Sequence, residues 1–323
     1  MSDHLLDIVG LWTVFVSDEG TAAAVSELNL HLDQGETIGI VGESGCGKSV
    51  TALSIMRLIS SPGRIEKGRI EFLGTDLLKL SEPDMRAVRG NDISMIFQEP
   101  MTSLNPVLKV GDQIGEVYRL HRGLTKRDSW NASIEMMQKV GIPSPEQRVR
   151  DYPHQMSGGM RQRVMIAMAL ACDPSLMLAD EPTTALDVTI QAQILELMNE
   201  IKKQKGTGIV LITHDLGIVA EMAARVAVMY AGRIVEHASV SDLFFSAQHP
   251  YTVGLLKSIP RIRRARGKDT QKLPVIPGMV PDLRRLPRGC AFQDRCGEVA
   301  SICNEPPELE LKRSGHLVRC WKR

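Results

Sequence analysis

The sequence offers no run of apolar residues long enough to cross a bilayer. Its longest uncharged apolar stretches, such as Val164–Ala171, fall far short of the about 20 residues that a helical span needs. It begins Met-Ser-Asp-His-Leu-Leu-Asp, without a basic n-region or a long apolar h-region. No secretory signal is visible, and the cytoplasm is the expected compartment. An excess of one charge is missing as well. Against 38 Asp and Glu stand 39 Lys and Arg, and the net +1 is too little to hold nucleic acid by bulk charge. Tight Cys-x-x-Cys pairs are absent among the six cysteines, and a cytoplasmic chain seldom keeps structural disulfides. What is present is ordinary for a soluble globular protein: 43% hydrophobic and 24% charged residues over 323 positions. That is enough chain for about two domains and a sizeable core.

The near-zero charge conceals an asymmetry. Residues 1–260 hold 24 basic and 31 acidic side chains, a balance of −7, while 261–323 hold 15 and 7, a balance of +8. The cysteines are uneven too. Four of the six, Cys290, Cys296, Cys303 and Cys320, fall in the last 34 residues, and such a cluster points to metal or redox chemistry.

Along the chain, Ile8–Val16 and Val25–Leu32 read as β-rich runs, and Thr37–Val41 as a buried strand. A glycine-rich loop and a helix from about Lys48 to Ile59 follow, ended by Ser61-Pro62-Gly63. Strands are expected at 69–73 and 92–97, and helices through about 105–170. Then come strand Leu176–Ala179, helix Ile190–Gln204, strand Gly208–Thr213 and helix Leu216–Ala224. Val226–Tyr230 and Arg233–Glu236 flank Ala231-Gly232 as a hairpin would. Strands alternating with helices imply an α/β core with a mainly parallel sheet. Residues 261–289, rich in Arg, Pro and Gly, read as an irregular linker.

Gly42-Glu43-Ser44-Gly45-Cys46-Gly47-Lys48-Ser49 matches the pattern G-x-x-x-x-G-K-[ST], between an expected strand and an expected helix. Glycines let the backbone curl so that its N–H groups converge on phosphate oxygens, and the helix N-terminus adds a favourable dipole. Lys48 can reach the β- and γ-phosphates and Ser49 can ligate Mg²⁺. Cys46 reads as a small filler. The run Leu176–Glu181 would deliver an acid to the end of a buried strand, where open α/β sheets bind ligands. Asp180 would hold Mg²⁺ through water, and Glu181 would polarise an attacking water.

With Met156-Ser157-Gly158-Gly159-Met160-Arg161-Gln162-Arg163 added to these two motifs, the chain resembles the ATP-binding cassette (ABC) proteins over residues 5–250. Phe97-Gln98 resembles their Q-loop, Ala185-Leu186-Asp187 their D-loop and Thr213-His214-Asp215 their switch histidine. The resemblance extends to the ATPases of oligopeptide and dipeptide importers. It is carried by Met95–Pro106, Tyr152–Ala169, Asp180–Gln193 and His249-Pro250-Tyr251-Thr252. It implies a P-loop NTPase fold: a RecA-like core, an antiparallel β subdomain, and a helical subdomain at about 100–170. Residues 1–258 would form the cassette and 259–323 a small irregular metal-binding extension.

The resemblance further implies an ATP-hydrolysing subunit that powers import of di- or oligopeptides through ATP-driven pairing of two cassettes. Each ATP would lie between the P-loop of one cassette and Ser157, Gly158 and Gly159 of the other, with Asp187 close by. Ser157–Gly159 precede a helix expected from about Met160 to Ala171, whose start would present N–H groups to a γ-phosphate. Met156 and Met160 replace the Leu and Gln of the commonest signature, a variant usual in peptide importers. His214 would contact the γ-phosphate and orient water against Glu181, and Gln98 would touch Mg²⁺ or water. A lone histidine at a strand end is otherwise more often structural. An aromatic under adenine would be Phe15 or Trp12, with position favouring Phe15; a core role is the alternative for each. Implied partners are a second ATPase subunit in a heterodimer or homodimer, two transmembrane permease subunits and, indirectly, an extracytoplasmic solute-binding protein. No nucleic acid is expected, and the chain would sit peripherally on the cytoplasmic face of the inner membrane. Nickel or another small solute is an alternative cargo. A soluble cassette acting on nucleic acid is a further alternative, supported by the basic tail alone.

The tail cysteines are separated by five, six and sixteen residues. Four thiolates on a loop-rich segment can wrap a [4Fe–4S] cluster. The neighbouring Arg288, Arg295 and Arg319 are expected to favour thiolates. The resemblance also implies a [4Fe–4S] cluster there; zinc and reduced thiols are the alternatives.

Overall fold

A computed structural model describes residues 4–99, 103–184, 186–259 and 275–323. Ala185 of the Ala-Leu-Asp motif, residues 100–102 after Gln98 and the first part of the basic linker, 260–274, lie outside the described residues. In chain order the elements begin β1 (Leu6–Ser17), β2 (Gly20–Leu32), β3 (Thr37–Val41), α1 (Lys48–Ile55), β4 (Gly63–Phe72), β5 (Thr75–Asp76), α2 (Glu82–Val88) and β6 (Ile93–Ile96). They continue α3 (Val110–Arg122), α4 (Lys126–Lys139), α5 (Pro145–Arg148), α6 (Gly158–Leu170), β7 (Leu176–Asp180), α7 (Val188–Lys205), β8 (Gly208–Ile212) and α8 (Leu216–Met222). The remainder is β9 (Arg225–Tyr230), β10 (Arg233–Ser239), α9 (Val240–Ser246), α10 (Pro250–Lys257), β11 (Glu310–Arg313) and β12 (His316–Val318).

The chain forms two compact units that interleave in sequence. One holds the stretch up to Asp7, His31–Thr37 and Glu71–Ile212; the other holds Ile8–Leu30, Ile38–Ile70 and Thr213–Arg323. In the first unit β6, β7 and β8 pair in parallel, with Ile96 opposite Ala179 and Asp180 opposite Ile212. All three strands are buried along their whole length, as their richness in Ile, Leu, Met and Val requires when both sheet faces are covered. Helices α3, α4 and α6 pack on one another in this unit. Side-chain caps mark the starts of two of them: Thr125 accepts the Asp128 amide at α4 and Ser157 the Met160 amide at α6. Helix α7 ends at Gly206, whose φ of 69° is the left-handed stop that glycine supplies.

In the second unit β3 pairs in parallel with β9, and β9 turns back antiparallel into β10. The turn is Ala231-Gly232, with φ of 46° and 82°, the doubly left-handed geometry that suits a tight hairpin. Strands β2, β1 and β4 lie side by side in that order. The core gathers Val41, Val226, Val228, Tyr230 and Tyr251 around Phe292 of the tail, with Cys290 and Cys296 packed against it.

Two expectations are corrected. Helix α1 stops at Ile55 and not near Ile59, because Arg57 turns left-handed at φ 50°. The tail is not irregular throughout: β12 pairs with β10, placing Val318 opposite Glu236, and β11 pairs with β12. These strands have three and four residues, too short to show a period-two pattern, so their partner and not their sequence defines them. The junction is fastened by Glu236. Its fully buried carboxylate accepts the Gln248 and His249 amides and His316 Nε2, at 2.7, 2.9 and 2.7 Å.

Candidate functional site

The loop after β3 is shaped by glycines at positions where no other residue fits. Gly42 and Gly47 have φ of 152° and 104°, and a Cβ there would lie 2.3 Å from Met229 O and 2.2 Å from Ala24 O. Lys48, buried at the start of α1, donates Nζ to Gly42 O at 2.8 Å and to Glu43 O at 3.0 Å. The loop thus closes on its own lysine. Thr51 Oγ1 donates to Gly47 O at 3.0 Å and fastens the first turn of α1. Ser44 and Gly45 are exposed, and Ser49 is half-buried. Cys46 is fully buried, and burial pushes its thiol above its usual range, as a filler residue requires.

In the first unit, Asp180 ends fully buried β7 and is itself 4% exposed. Glu181, the next residue, takes φ 49°, a left-handed conformation that costs a non-glycine residue about 1–3 kcal/mol. The turn is held by Glu181 N–H donating to Ile212 O at 2.8 Å, by Thr184 Oγ1 donating to Glu181 Oε2 at 2.9 Å, and by Gln162. Gln162, 1% exposed on α6, donates Nε2 to Pro182 O at 2.6 Å. It thereby ties the signature helix to the acidic turn, a link that no motif spacing reveals. Helix α6 begins at Gly158, earlier than expected, so both signature glycines lie in its first turn. Ser157 and Gly158 are exposed there, and Met156 is buried in the core, which explains why an apolar residue holds that position. Gln98 is exposed just beyond β6. Asp187 is the N-cap of α7, with Oδ1 accepting the Ile190 amide at 3.0 Å, a structural duty beside its expected nucleotide role.

In the second unit His214 is exposed two residues past β8, and Asp215 caps α8 through the Gly217 and Ile218 amides. Of the two adenine candidates, Trp12 carries Lys67 Nζ 4.5 Å above its ring. Phe15 is half-buried on β1, where a Cβ on Gly63 would meet its ring at 2.6 Å.

Cys290, Cys296, Cys303 and Cys320 all line one pocket of about 350 Å³, part of it open to solvent, together with His249 and Phe292. Among the described residues no group of three or more His, Cys, Asp or Glu side chains is drawn together closely enough to hold a metal ion. The expectation that nearby arginines favour thiolates fails at Cys290 and Cys296. Burial pushes Cys290 up to about 11 and raises Cys296 as well. The guanidinium of Arg295 is taken by Glu43, and that of Arg319 by Ile234 O, Pro307 O and Glu27.

The sequence compares closely with known proteins. A family model described as ABC transporter matches residues 25–184, and one described as oligopeptide/dipeptide transporter, C-terminal region, matches 235–303. The "Probable peptide ABC transporter ATP-binding protein y4tR" of Sinorhizobium fredii is 53% identical over 99% of this chain and 96% of its own length. The oligopeptide transport ATP-binding protein OppD of Salmonella typhimurium is 49% identical over 98% of this chain and 93% of its own. Among solved structures, a dimeric bacterial ABC transporter cassette covers 73% of this chain and 98% of its own, at 25% identity and a TM-score of 0.67. Near-complete coverage at this identity places the motifs above in a single family: the chain belongs to the ABC transporter ATP-binding proteins of the oligopeptide/dipeptide type.

Proposed function

We propose that this ABC ATPase powers the import of di- or oligopeptides, working with a second ATPase subunit and two permease subunits at the cytoplasmic face of the inner membrane. The observation that carries the reading is the loop 42–49, with two glycines that admit no Cβ and a buried lysine at the head of α1. Such a loop is built to close around phosphates. Among the described residues no helix is long and apolar enough to cross a membrane, so the permease subunits would supply the passage.

The family resemblance and the chemistry of the side chains together support the residue roles. Residues 42–49 hold the phosphates. Ser49, Gln98 and Asp180 supply hard oxygen ligands suited to Mg²⁺, which would neutralise developing phosphate charge. Glu181 polarises the attacking water, and its strained backbone is the kind found at working sites. His214 positions that water and the γ-phosphate. The start of α6, with Ser157 and Gly158 exposed and Gly159 half-buried, serves the nucleotide of a partner cassette, with Asp187 beside it. Phe15 stacks on adenine. Residues 1–258 form the cassette and 259–323 the extension. The four tail cysteines hold a [4Fe–4S] cluster: they are soft donors that line one pocket.

A strain lacking this gene should lose uptake of a labelled peptide, regain it with the unaltered chain and not regain it with Lys48→Ala. Uptake restored by Lys48→Ala would sink the reading. For the tail, anaerobic purification should yield a brown protein with about four iron and four sulfide per chain. A colourless protein with stoichiometric zinc would reject the cluster.

A further inference from the structure

Glu43 lies in the phosphate loop, yet both of its carboxylate oxygens are engaged by the cysteine tail. Arg295 donates Nη1 to Oε2 at 2.6 Å and Nη2 to Oε1 at 2.9 Å. Such a two-point fork sets the orientation of a carboxylate and not only its charge. Arg295 is anchored in turn. Its Nε donates to Pro277 O at 2.8 Å, and its guanidinium lies 5.7 and 5.9 Å from the ring centroids of Tyr230 and Phe292. The arginine side chain is 4% exposed against 30% for Glu43, so the rigid partner is the tail and the loop is what it steadies. Glu43 is held from a second side, where its amide donates to Tyr251 Oη at 2.8 Å. Its carbonyl then accepts Lys48 Nζ. A continuous path runs from the tail through Glu43 to the lysine.

We infer that Arg295 is a positioning residue of the nucleotide site, acting through Glu43 to keep the phosphate loop in its binding shape, so that the cysteine-bearing tail contributes to ATP affinity. This rests on the reading of residues 42–49 as the phosphate loop. A glycine-rich loop must lose conformational freedom to converge on phosphates, and a loop already gripped loses less. The contribution therefore falls on binding and not on the chemical step.

The test compares Arg295→Met, Glu43→Ala and the double variant, all in the full chain. Fluorescent-ATP binding gives Kd, and phosphate release gives kcat. Each single variant should raise Kd about tenfold, the scale of one lost charge-assisted hydrogen-bonding pair. The double variant should bind no more weakly than either single one, because both remove the same link, and in Arg295→Met the loss should fall on Kd more than on kcat. Arg295→Lys, which keeps charge without the fork, should recover only part of the affinity. An unchanged Kd in Glu43→Ala, or additive losses in the double variant, would overturn the inference. Glu43→Ala leaves the anchors of Arg295 in place, so the test stands even if Arg295→Met unfolds the tail. Lys48→Ala separates the two readings. If it still binds ATP, the phosphate-loop reading fails. If it does not bind while Glu43→Ala binds normally, only the role of Arg295 fails.

Discussion

Residues 42–49 close on themselves through near neighbours, Lys48 with Gly42 and Glu43 and Thr51 with Gly47, and are gripped from afar at Glu43, by Arg295 and Tyr251, and by the close approach of Met229 and Ala24 to the glycines. The cysteine tail, beside its own turns, is tied down by distant contacts. Arg295 reaches back 252 residues to Glu43, His316 reaches 80 to Glu236, and Arg319 reaches 85 to Ile234. The loop exposes Ser44 and Gly45, while the tail buries Phe292 in the core. The difference separates two kinds of residue. In the nucleotide motifs a substitution should remove activity and spare the fold; in the tail it should weaken the fold first.

The sharpest break in that comparison is Glu181→Gln. The amide keeps the size of the side chain and can still accept from Thr184 Oγ1. Turnover should fall about 10²–10⁴-fold, the scale of a lost general base. Unfolding free energy should stay within about 0.5 kcal/mol. Phosphate release and denaturant melts measure the two. Normal turnover would remove Glu181 from its role, and a large loss of stability would erase the contrast with the tail.

Phe292→Ala should show the reverse signature. The ring is 4% exposed and meets Tyr230, Tyr251 and His249 at centroid distances of 5.2, 5.4 and 5.8 Å. Its removal should cost about 3–5 kcal/mol in stability. At a temperature where the variant is folded, turnover should fall far less than in Glu181→Gln. A variant as stable as the unaltered chain would mean that the tail does not contribute to the core.

Legibility in the sequence follows the same divide. Thr37–Val41, the phosphate loop and β7 could be read because apolar runs, glycines and a terminal acid act over a few residues. The strain at Glu181 could not, since a left-handed glutamate is imposed by the turn and leaves no compositional trace. Gln162 and Arg295 look like ordinary surface polar residues until folding buries them against Pro182 and Glu43. The expected thiolates failed for a related reason. Counting nearby arginines ignores that carboxylates and carbonyls have already claimed Arg295 and Arg319, leaving burial to decide for Cys290 and Cys296.

The smallest expected effect is a slope in pH. His249 caps α10, with Nδ1 accepting the Tyr251 amide at 3.1 Å, a bond that only an unprotonated nitrogen can accept. Burial, with the charges of Arg323 and Arg319 adding to it, holds its pKa down to about 3 from 6.5. Facing it from the β10 side is Glu236, which takes the His249 amide. Between those two pH values the unfolded chain binds a proton that the folded chain refuses. Stability should therefore fall as pH drops through this window, by at most about 1.4 kcal/mol per unit, with no contribution from this group above it. His249→Asn keeps a capping oxygen but cannot titrate. Denaturant melts from pH 7 to pH 5 should give a flatter slope for the variant, although it starts somewhat less stable. An unchanged slope would place the acid sensitivity elsewhere and leave the anchoring of the tail independent of this proton.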